Sequence, residues 1–548
     1  MSKLPAAGAI LAIAVLAAAA PAAQGRRVLV AVERDGHSPA GGVLSGTLPD
    51  GSPTYLVKAP RGTTARAFAH RLGQRRGVIA AQVDRPFWLH PAQQAPAGCV
   101  DKPSDPVVDV PSQTNALQVD PGGPTKPIAI LDTGIDPNTP ELAGRVLPDH
   151  DVVGGFLVPD QDGHGTEVAS IAAGALGSVR GESPTSPVFS VRIFNSSGAS
   201  SAAIVVQGIT AAVQNGAGVI NISAAGAVAD GSAQDNQVLI TAIEQAVNAG
   251  VIVVAPSGNE GKLQADAPGA YPHVLTAGSG NAGQGRDLFS NSGPWVDLMS
   301  PANGIIAPTT TNICSSGYAF VTGTSFASPA VAGAVAMLQT LRPELKPQQL
   351  FDLIRQSATD LGVPGWDQDT GFGMLDVADA ATTPAPKLLG NEVDDDIMFA
   401  KLKPVIPLKL GKTKTIQDSE SAAKDNTDVF RIKLKKGEGI TANIANKDPN
   451  ALFSVSLLDR TAGPLDMTND VTKHILKDSG GLSPTPYMGK RVKKTGTYYI
   501  AVETPDTLQD EVDDTTPTDQ PYTLKLKRLK PLKKHHTSKK KSSSKKKS

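Results

Sequence analysis

Two short stretches of uninterrupted apolar residues constrain the architecture most. Pro127-Ile128-Ala129-Ile130-Leu131 ends at Asp132 and a Thr133-Gly134 turn, and Val251-Ile252-Val253-Val254-Ala255 runs into Pro256-Ser257-Gly258. A strand with one wet face alternates apolar and polar residues. A strand apolar at every position is covered on both faces, as in a parallel sheet with helices on either side. Helical patterns follow at Val168–Ala173, Pro329–Leu341 and Gln348–Gln356. The expected fold class is α/β, a parallel sheet flanked by helices.

Chemistry-bearing residues stand where such a sheet gathers them. Asp132 closes the first apolar run, at the carboxyl end of its strand, where open α/β sheets collect ligand and catalytic groups. His164, between two glycines, opens the Val168–Ala173 helix, and Ser325, in Gly323-Thr324-Ser325-Phe326-Ala327-Ser328-Pro329, precedes another. A serine hydroxyl is a poor nucleophile at neutral pH. It needs an imidazole to take its proton and a carboxylate to fix that imidazole's tautomer and stabilise its charged form. Ser325, His164 and Asp132 supply those groups in the chain order Asp, His, Ser, one of several orders in which unrelated folds build a triad. Placing the serine in a first helical turn also aims the positive end of a helix dipole at charge developing beside it. Singly, an Asp-Thr-Gly reads as a turn, a Gly-His-Gly as a loop and a Gly-Thr-Ser as a helix cap; the order and context of all three carry the reading.

A tetrahedral intermediate also needs donors aimed at its oxyanion. Asn259, in Pro256-Ser257-Gly258-Asn259-Glu260-Gly261 after the second apolar run, is one candidate, and the backbone amide of Ser325 the other. With these four motifs, the chain resembles the subtilisin-like (subtilase) family of serine proteases from about Cys99 to Ala381. The likeness takes in Val191-Arg192-Ile193-Phe194, Val219-Ile220-Asn221-Ile222-Ser223 and Leu288-Phe289-Ser290-Asn291-Ser292-Gly293. It implies peptide-bond hydrolysis through an acyl-enzyme, with protein or peptide substrates and a monomeric enzyme. It also implies that no cofactor is needed for the chemistry. Structural calcium belongs to the same expectation, with no ligand set assignable and no metal-binding residue named. The departures lie around the motifs. Thr139-Pro140 replaces a common His-Pro, and Glu167 stands where many members carry a second His. Ser223-Ala224-Ala225-Gly226 occupies the place of the edge strand that pairs with substrate backbone. Main-chain pairing to that edge would give broad sequence tolerance. Alignment of Pro268-Gly269-Ala270-Tyr271-Pro272 puts Asp266 at the floor of the primary specificity pocket, where a carboxylate would favour Arg or Lys; the other reading is a solvated loop aspartate.

Met1-Ser2-Lys3, the apolar Leu4–Ala19 and the small-residue Ala20-Pro21-Ala22 read as a secretory signal peptide over residues 1–22. Residues 26–95 carry a strand-like Thr54–Lys58, an amphipathic Thr63–Arg75 and a strand-like Val78–Val83. That order resembles subtilase propeptides, small α+β domains that template a slowly folding, high-contact-order sheet and plug its cleft. Removal is expected by cleavage between Phe87 and Cys99, giving a catalytic domain over 99–381. The two cysteines, Cys99 and Cys314, either pair in a secreted chain or remain thiols. Neither a Cys-His thiol mechanism nor a zinc site has the ligand spacing it requires.

Thr382-Thr383-Pro384-Ala385-Pro386 opens a linker over 382–390. Beyond it, period-two alternation at Asp428–Leu434, Phe453–Leu458, Gly496–Val502 and Tyr522–Lys527 reads as an all-β sandwich over 391–529. It resembles the prepeptidase C-terminal type of domain. Asp394-Asp395-Asp396 and the acidic run Asp510–Asp514 read as solvated carboxylates rather than calcium ligands. Residues 530–548 hold nine lysines and almost nothing to bury, so they are expected to be disordered. The zero net charge thus hides an asymmetry, +9 in this tail against −16 over residues 99–529. The tail suits anionic cell-wall or surface polymers, bound in a salt-sensitive way. The sequence points to a secreted, propeptide-bearing serine endopeptidase. The alternative is a catalytically inactive binding or adhesion protein in the same fold, against which the intact triad argues. A lipase of the α/β-hydrolase class would need a Gly-x-Ser-x-Gly elbow and the order Ser, Asp, His.

Overall fold

The computed structural model describes residues 26–89, 98–386 and 406–531, less short stretches inside the last two segments. The signal segment, both acidic runs, the end of the linker and residues 532–548 lie outside the described residues. The chain divides into two units, residues 1–387 and 388–548.

The first unit begins with β1 (Arg27–Val32), β2 (Val43–Thr47), β3 (Pro53–Lys58) and β4 (Val78–Val83), an antiparallel sheet in the order β2-β3-β1-β4. The helix Ala65–Gly73 lies on it. Thr64 caps that helix, its hydroxyl oxygen accepting from the Ala67 amide at 3.1 Å. Val28, Val30, Val57 and Ala81 of the sheet meet Ala65, Ala69 and Leu72 of the helix in a small core. The sheet's strand ends then serve the rest of the unit. Helix N-termini carry amides with no partner inside the helix. Gln82 accepts from the amides of Val238 and Leu239, at 2.7 and 3.0 Å, at the start of the helix Gln237–Asn248. Asp84, paired with Arg27 at 2.7 Å, accepts from Ala203 at 3.0 Å at the start of the helix Ala202–Gln214. The N-terminal sheet therefore caps two helices of the larger fold.

Two short strands follow, β5 (Pro86–Trp88) and β6 (Gly98–Cys99). The large sheet is then built from β7 (Ile128–Asp132), β8 (His150–Asp151), β9 (Val188–Arg192), β11 (Val219–Ile222), β13 (Ile252–Pro256), β15 (Val274–Asn281), β16 (Gly285–Arg286) and β17 (Leu298–Ser300). Its order is β16-β15-β13-β11-β7-β9-β8, with β17 on β15, and all pairs are parallel except β15 with β16. Both apolar runs are central strands, buried at every position. Ile128 and Ile130 of β7 enter the core with the helices His164–Ala173 and Thr324–Leu341. On the other face Leu131 packs closely against Gly208 of the helix Ala202–Gln214. Smaller strands border the sheet: β10 (Ala199–Ser201), β12 (Gly226–Ala227), β14 (Asp266–Ala267), β18 (Asn303–Pro308) and β19 (Tyr318–Thr322). β12 pairs with β14, and β6 joins β18 and β19 in a three-stranded sheet.

The second unit holds eight described strands, β20 (Thr413–Glu420), β21 (Thr427–Leu434), β22 (Gly439–Asn446), β23 (Ser454–Leu458), β24 (Ile475–Asp478), β25 (Tyr487–Arg491), β26 (Gly496–Glu503) and β27 (Gln520–Leu529). They form two antiparallel sheets, β20-β27-β22-β25 and β21-β26-β23-β24, closed over a core of Ile432, Ile440, Ile444, Val455, Ile500, Leu524 and Leu526 among others. The fold class is α/β in the first unit, with all-β sheets in the second. β20, β24 and β25 carry no clean run of alternating apolar residues, and the alternation of β22 (Ile440, Ala442, Ile444) is weak because its middle member is only an alanine.

Candidate active site

The acid, base and serine come from three elements meeting at the carboxyl end of the sheet. Asp132, fully buried, ends β7, and Thr133 donates its amide to Asp132 Oδ1 at 2.7 Å. His164 is the first residue of its helix, and its Nδ1 lies 2.8 Å from the same Asp132 oxygen. Nδ1 donates to a carboxylate, so the neutral ring leaves Nε2 as its basic nitrogen. That atom is buried and makes no hydrogen bond among the described residues. Gly163 before it has φ 93°, and a Cβ there would stand 2.6 Å from Thr309 Oγ1 and 3.2 Å from Ile313 Cγ1. Glycine is required at this junction both for the left-handed backbone and for the close approach of the 309–314 loop.

Ser325 is 2 % exposed, in the first turn of the helix Thr324–Leu341, and its neighbour Phe326 packs its ring 5.3 Å from the His164 ring. The expected helix start at Pro329 is corrected: the helix begins five residues earlier and carries Pro329 inside it. Proline has no amide to return to the carbonyl four residues back. The Ser325 carbonyl accepts instead from Ser223 Oγ at 2.9 Å. Ser223, expected in an open edge, is thus fully buried behind the serine, and Asn221 Nδ2 donates to its hydroxyl at 2.7 Å. Asn259 is held from the same turn. Its Oδ1 accepts from the Thr324 amide at 2.8 Å and the Thr324 hydroxyl at 2.9 Å, so the amide nitrogen is the end of the side chain left to donate elsewhere.

Burial opposes charge on His164, but the Asp132 carboxylate, its hydrogen bond, and the nearby Glu167 and Asp162 outweigh it and raise the imidazole to about 9. Burial pushes Glu167, one helical turn on, up to about 8. Asp160 is also raised by burial. It is held by Thr166, which donates from its hydroxyl at 2.7 Å and its amide at 3.0 Å, and by the Gly163 amide at 3.0 Å.

The predicted substrate edge is divided. Ala224 is buried, like Ser223, whereas Ala225 exchanges backbone bonds with Trp88 of β5, N to O, at 3.0 and 3.2 Å. β5 pairs on its other side with β10, and the Leu89 amide donates to Gly198 at 3.0 Å. The segment 86–89 of this same chain therefore lies as a strand between Ala225 and residues 198–201. Phe87 is 1 % exposed against Gly226, where a Cβ would meet the ring at 2.8 Å. Nothing in the composition of Pro86–Leu89 marked this pairing in advance, since three residues are too few to show a period.

Asp266 is 4 % exposed, in β14 beside β12, and a Cβ on Gly258 would come within 2.2 Å of its Oδ2. Asn291 Nδ2 donates to that oxygen at 3.4 Å. The carboxylate thus sits under the Gly258-Asn259 segment, and the solvated-loop reading is set aside. Cys99 and Cys314 form a disulfide, Sγ–Sγ 2.07 Å, linking residues 215 apart. Among the described residues no three His, Cys, Asp or Glu side chains group to hold a metal ion. No helix among them is long and apolar enough to cross a membrane.

Residues 125–373 match the model of the subtilase family. The chain is 34 % identical over 227 residues to the thermophilic serine proteinase of Bacillus sp. (strain AK1), a match covering 41 % of this chain and 54 % of that protein. It is 35 % identical over 217 residues to thermitase of Thermoactinomyces vulgaris, covering 38 % and 74 %. It is 32 % identical over 262 residues to subtilisin of Bacillus pumilus, covering 46 % and 90 %. The chain belongs to the subtilase family of subtilisin-like serine proteases.

Proposed function

We propose that this chain is a secreted serine endopeptidase in its uncleaved state, with Ser325 as nucleophile, His164 as general base and Asp132 as the carboxylate that orients it. The observation that carries the reading is the 2.8 Å contact of Asp132 with His164 Nδ1 at the foot of the Ser325 helix. In the proposed cycle His164 Nε2 takes the Ser325 proton as the hydroxyl oxygen attacks the substrate carbonyl. Asn259 Nδ2 and the Ser325 amide donate to the oxyanion, and His164 returns the proton to the leaving amine. Water then repeats the sequence on the acyl-enzyme. Removing the Asn259 donor would cost on the order of 100-fold to 1000-fold in rate.

Residues 26–95 act in this proposal as an inhibitory propeptide. The β5 segment fills the groove between Ala225 and residues 198–201 where extended substrate backbone would pair. Cleavage between Phe87 and Cys99 produces the mature enzyme in this proposal. Asp266 gives the primary pocket an acidic floor and a preference for Arg or Lys. Export is proposed from the signal-like residues 1–22. The test is expression of residues 26–548 as wild type and as Ser325→Ala, followed by intact mass and a peptide library. Wild type alone should shed its N-terminal region and cut peptides. A wild type that stays whole and inert, even after residues 26–97 are removed by an added protease, would leave a binding protein in a protease fold.

A further inference from the structure

The β20-β27-β22-β25 sheet of the second unit has one face in the core and one turned outward. Alternate residues Ile440, Ala442, Ile444, Met488, Leu524 and Leu526 point into the core. By the two-residue period of a strand, the residues between them form the outer face. Register then sets two rows across four strands. One row is Thr415, Lys525, Asn443 and Tyr487; the next is Thr413, Lys527, Thr441 and Gly489. Each row spans about 14 Å at the usual strand spacing, and the two are about 7 Å apart. Lys525 and Lys527 are exposed, and neither row contains an acidic side chain, in a body that carries −16 overall from residue 99 to 529.

Tyr487 is unusual in this setting. It is 59 % exposed on the edge strand β25, so its ring adds little to the core. It lies down along its strand: a Cβ on Gly489 would stand 3.1 Å from the Tyr487 hydroxyl, 3.6 Å from Cζ and 3.3 Å from Thr441 Cγ2. Glycine leaves room for the ring to bridge the two rows as a flat platform. A flat ring beside two lysines, three threonines and an asparagine offers a stacking surface, positive charge and hydroxyl-binding groups within one patch. Neither row carries an aliphatic anchor of the kind that seats a protein partner.

We propose that this face binds an acidic polysaccharide, with Tyr487 stacking on a pyranose ring, Lys525 and Lys527 pairing with uronate carboxylates, and Asn443 and Thr441 bonding to ring hydroxyls. A polyol phosphate has the charge but no ring to stack, and is disfavoured. This site is distinct from the lysine tail, which recognises charge alone.

The test uses the full chain in a Ser325→Ala background to prevent self-digestion, with retention measured on immobilised polygalacturonate, poly(glycerol phosphate) and single-stranded DNA across a salt series. The expected result is preferential retention on polygalacturonate. Tyr487→Ala leaves every charge in place and should weaken that retention about tenfold, with its salt dependence unchanged. Lys525→Gln/Lys527→Gln should weaken it and flatten the salt dependence. The double lysine variant, altered only at exposed positions, decides the matter should Tyr487→Ala not fold. Wild-type retention unaltered in the folded variants would assign all binding to the tail and overturn the proposal. Equal or tighter retention on DNA or poly(glycerol phosphate), lost with Tyr487, would overturn the sugar assignment.

Discussion

At the scale of single residues, the environment of His164 would set the pH at which it works as the proposed base. A group raised to about 9 is charged, and useless as a base, below that pH, so activity should climb through the neutral range toward about 9. Glu167 is one source of the upward shift. Glu167→Gln removes its charge, so the rising limb of kcat/KM against pH should move to lower pH by a fraction of a unit, with kcat at the plateau within about threefold. A shift to higher pH would refute that role. Glu182 gives a stability counterpart. It is fully buried, accepts from Thr114 Oγ1 at 2.8 Å, and burial raises it to about 8. The folded protein thus binds a proton that the unfolded chain releases above about 4.5, so stability falls as pH rises from about 4.5 to 8. Glu182→Gln should raise the Tm at pH 8 by about 2 °C or more and leave it nearly unchanged at pH 4. The sequence marked Asp132, His164 and Ser325 because the proposed chemistry imposes local glycine-flanked motifs. It did not reveal the Ser223 hydroxyl behind the Ser325 carbonyl, because that bond depends on a helix starting five residues before its proline.

At the scale of elements, the strand β5 and the two helix caps hold the N-terminal sheet on the larger fold. Replacing Phe87 by Ala removes a fully buried ring, a change that typically costs 3–5 kcal/mol in a core. Added in trans to the matured enzyme, residues 26–97 carrying Phe87→Ala should inhibit roughly 100-fold more weakly than the wild-type segment. Inhibition within threefold of wild type would detach Phe87 from the groove. The caps divide the labour: Gln82 satisfies amides of the helix Gln237–Asn248 and Asp84 an amide of the helix Ala202–Gln214. β3, β4 and the helix between them were legible from apolar and amphipathic spacing, whereas β1, β2 and the two capped helices were not read. The caps were not, because they join residues 119 and 156 positions apart in the chain.

At the scale of the whole molecule, the two units carry separate cores. A chain ending at residue 387 should hydrolyse short peptides with kcat/KM within about twofold of the full chain, and calorimetry of the Ser325→Ala protein should show two transitions, one of which disappears on truncation. The central parallel sheet was evident from its unbroken apolar strands. Four of the second unit's eight described strands were not, because β20, β24 and β25 lack regular apolar alternation and the alternation of β22 rests on an alanine between two isoleucines. The disulfide has a further consequence for maturation. Cys99 is fastened to Cys314, next to Ile313 at the Gly163 junction, and the Val100 amide donates to the Tyr318 carbonyl, so the proposed cut between Phe87 and Cys99 would leave the new N-terminus tethered at Cys99 to the loop beside His164. Under that proposal the tether would hold the amine at high effective concentration, where it would compete with water to rejoin the chain, and departure of the N-terminal sheet rather than bond cleavage would be the irreversible step of activation.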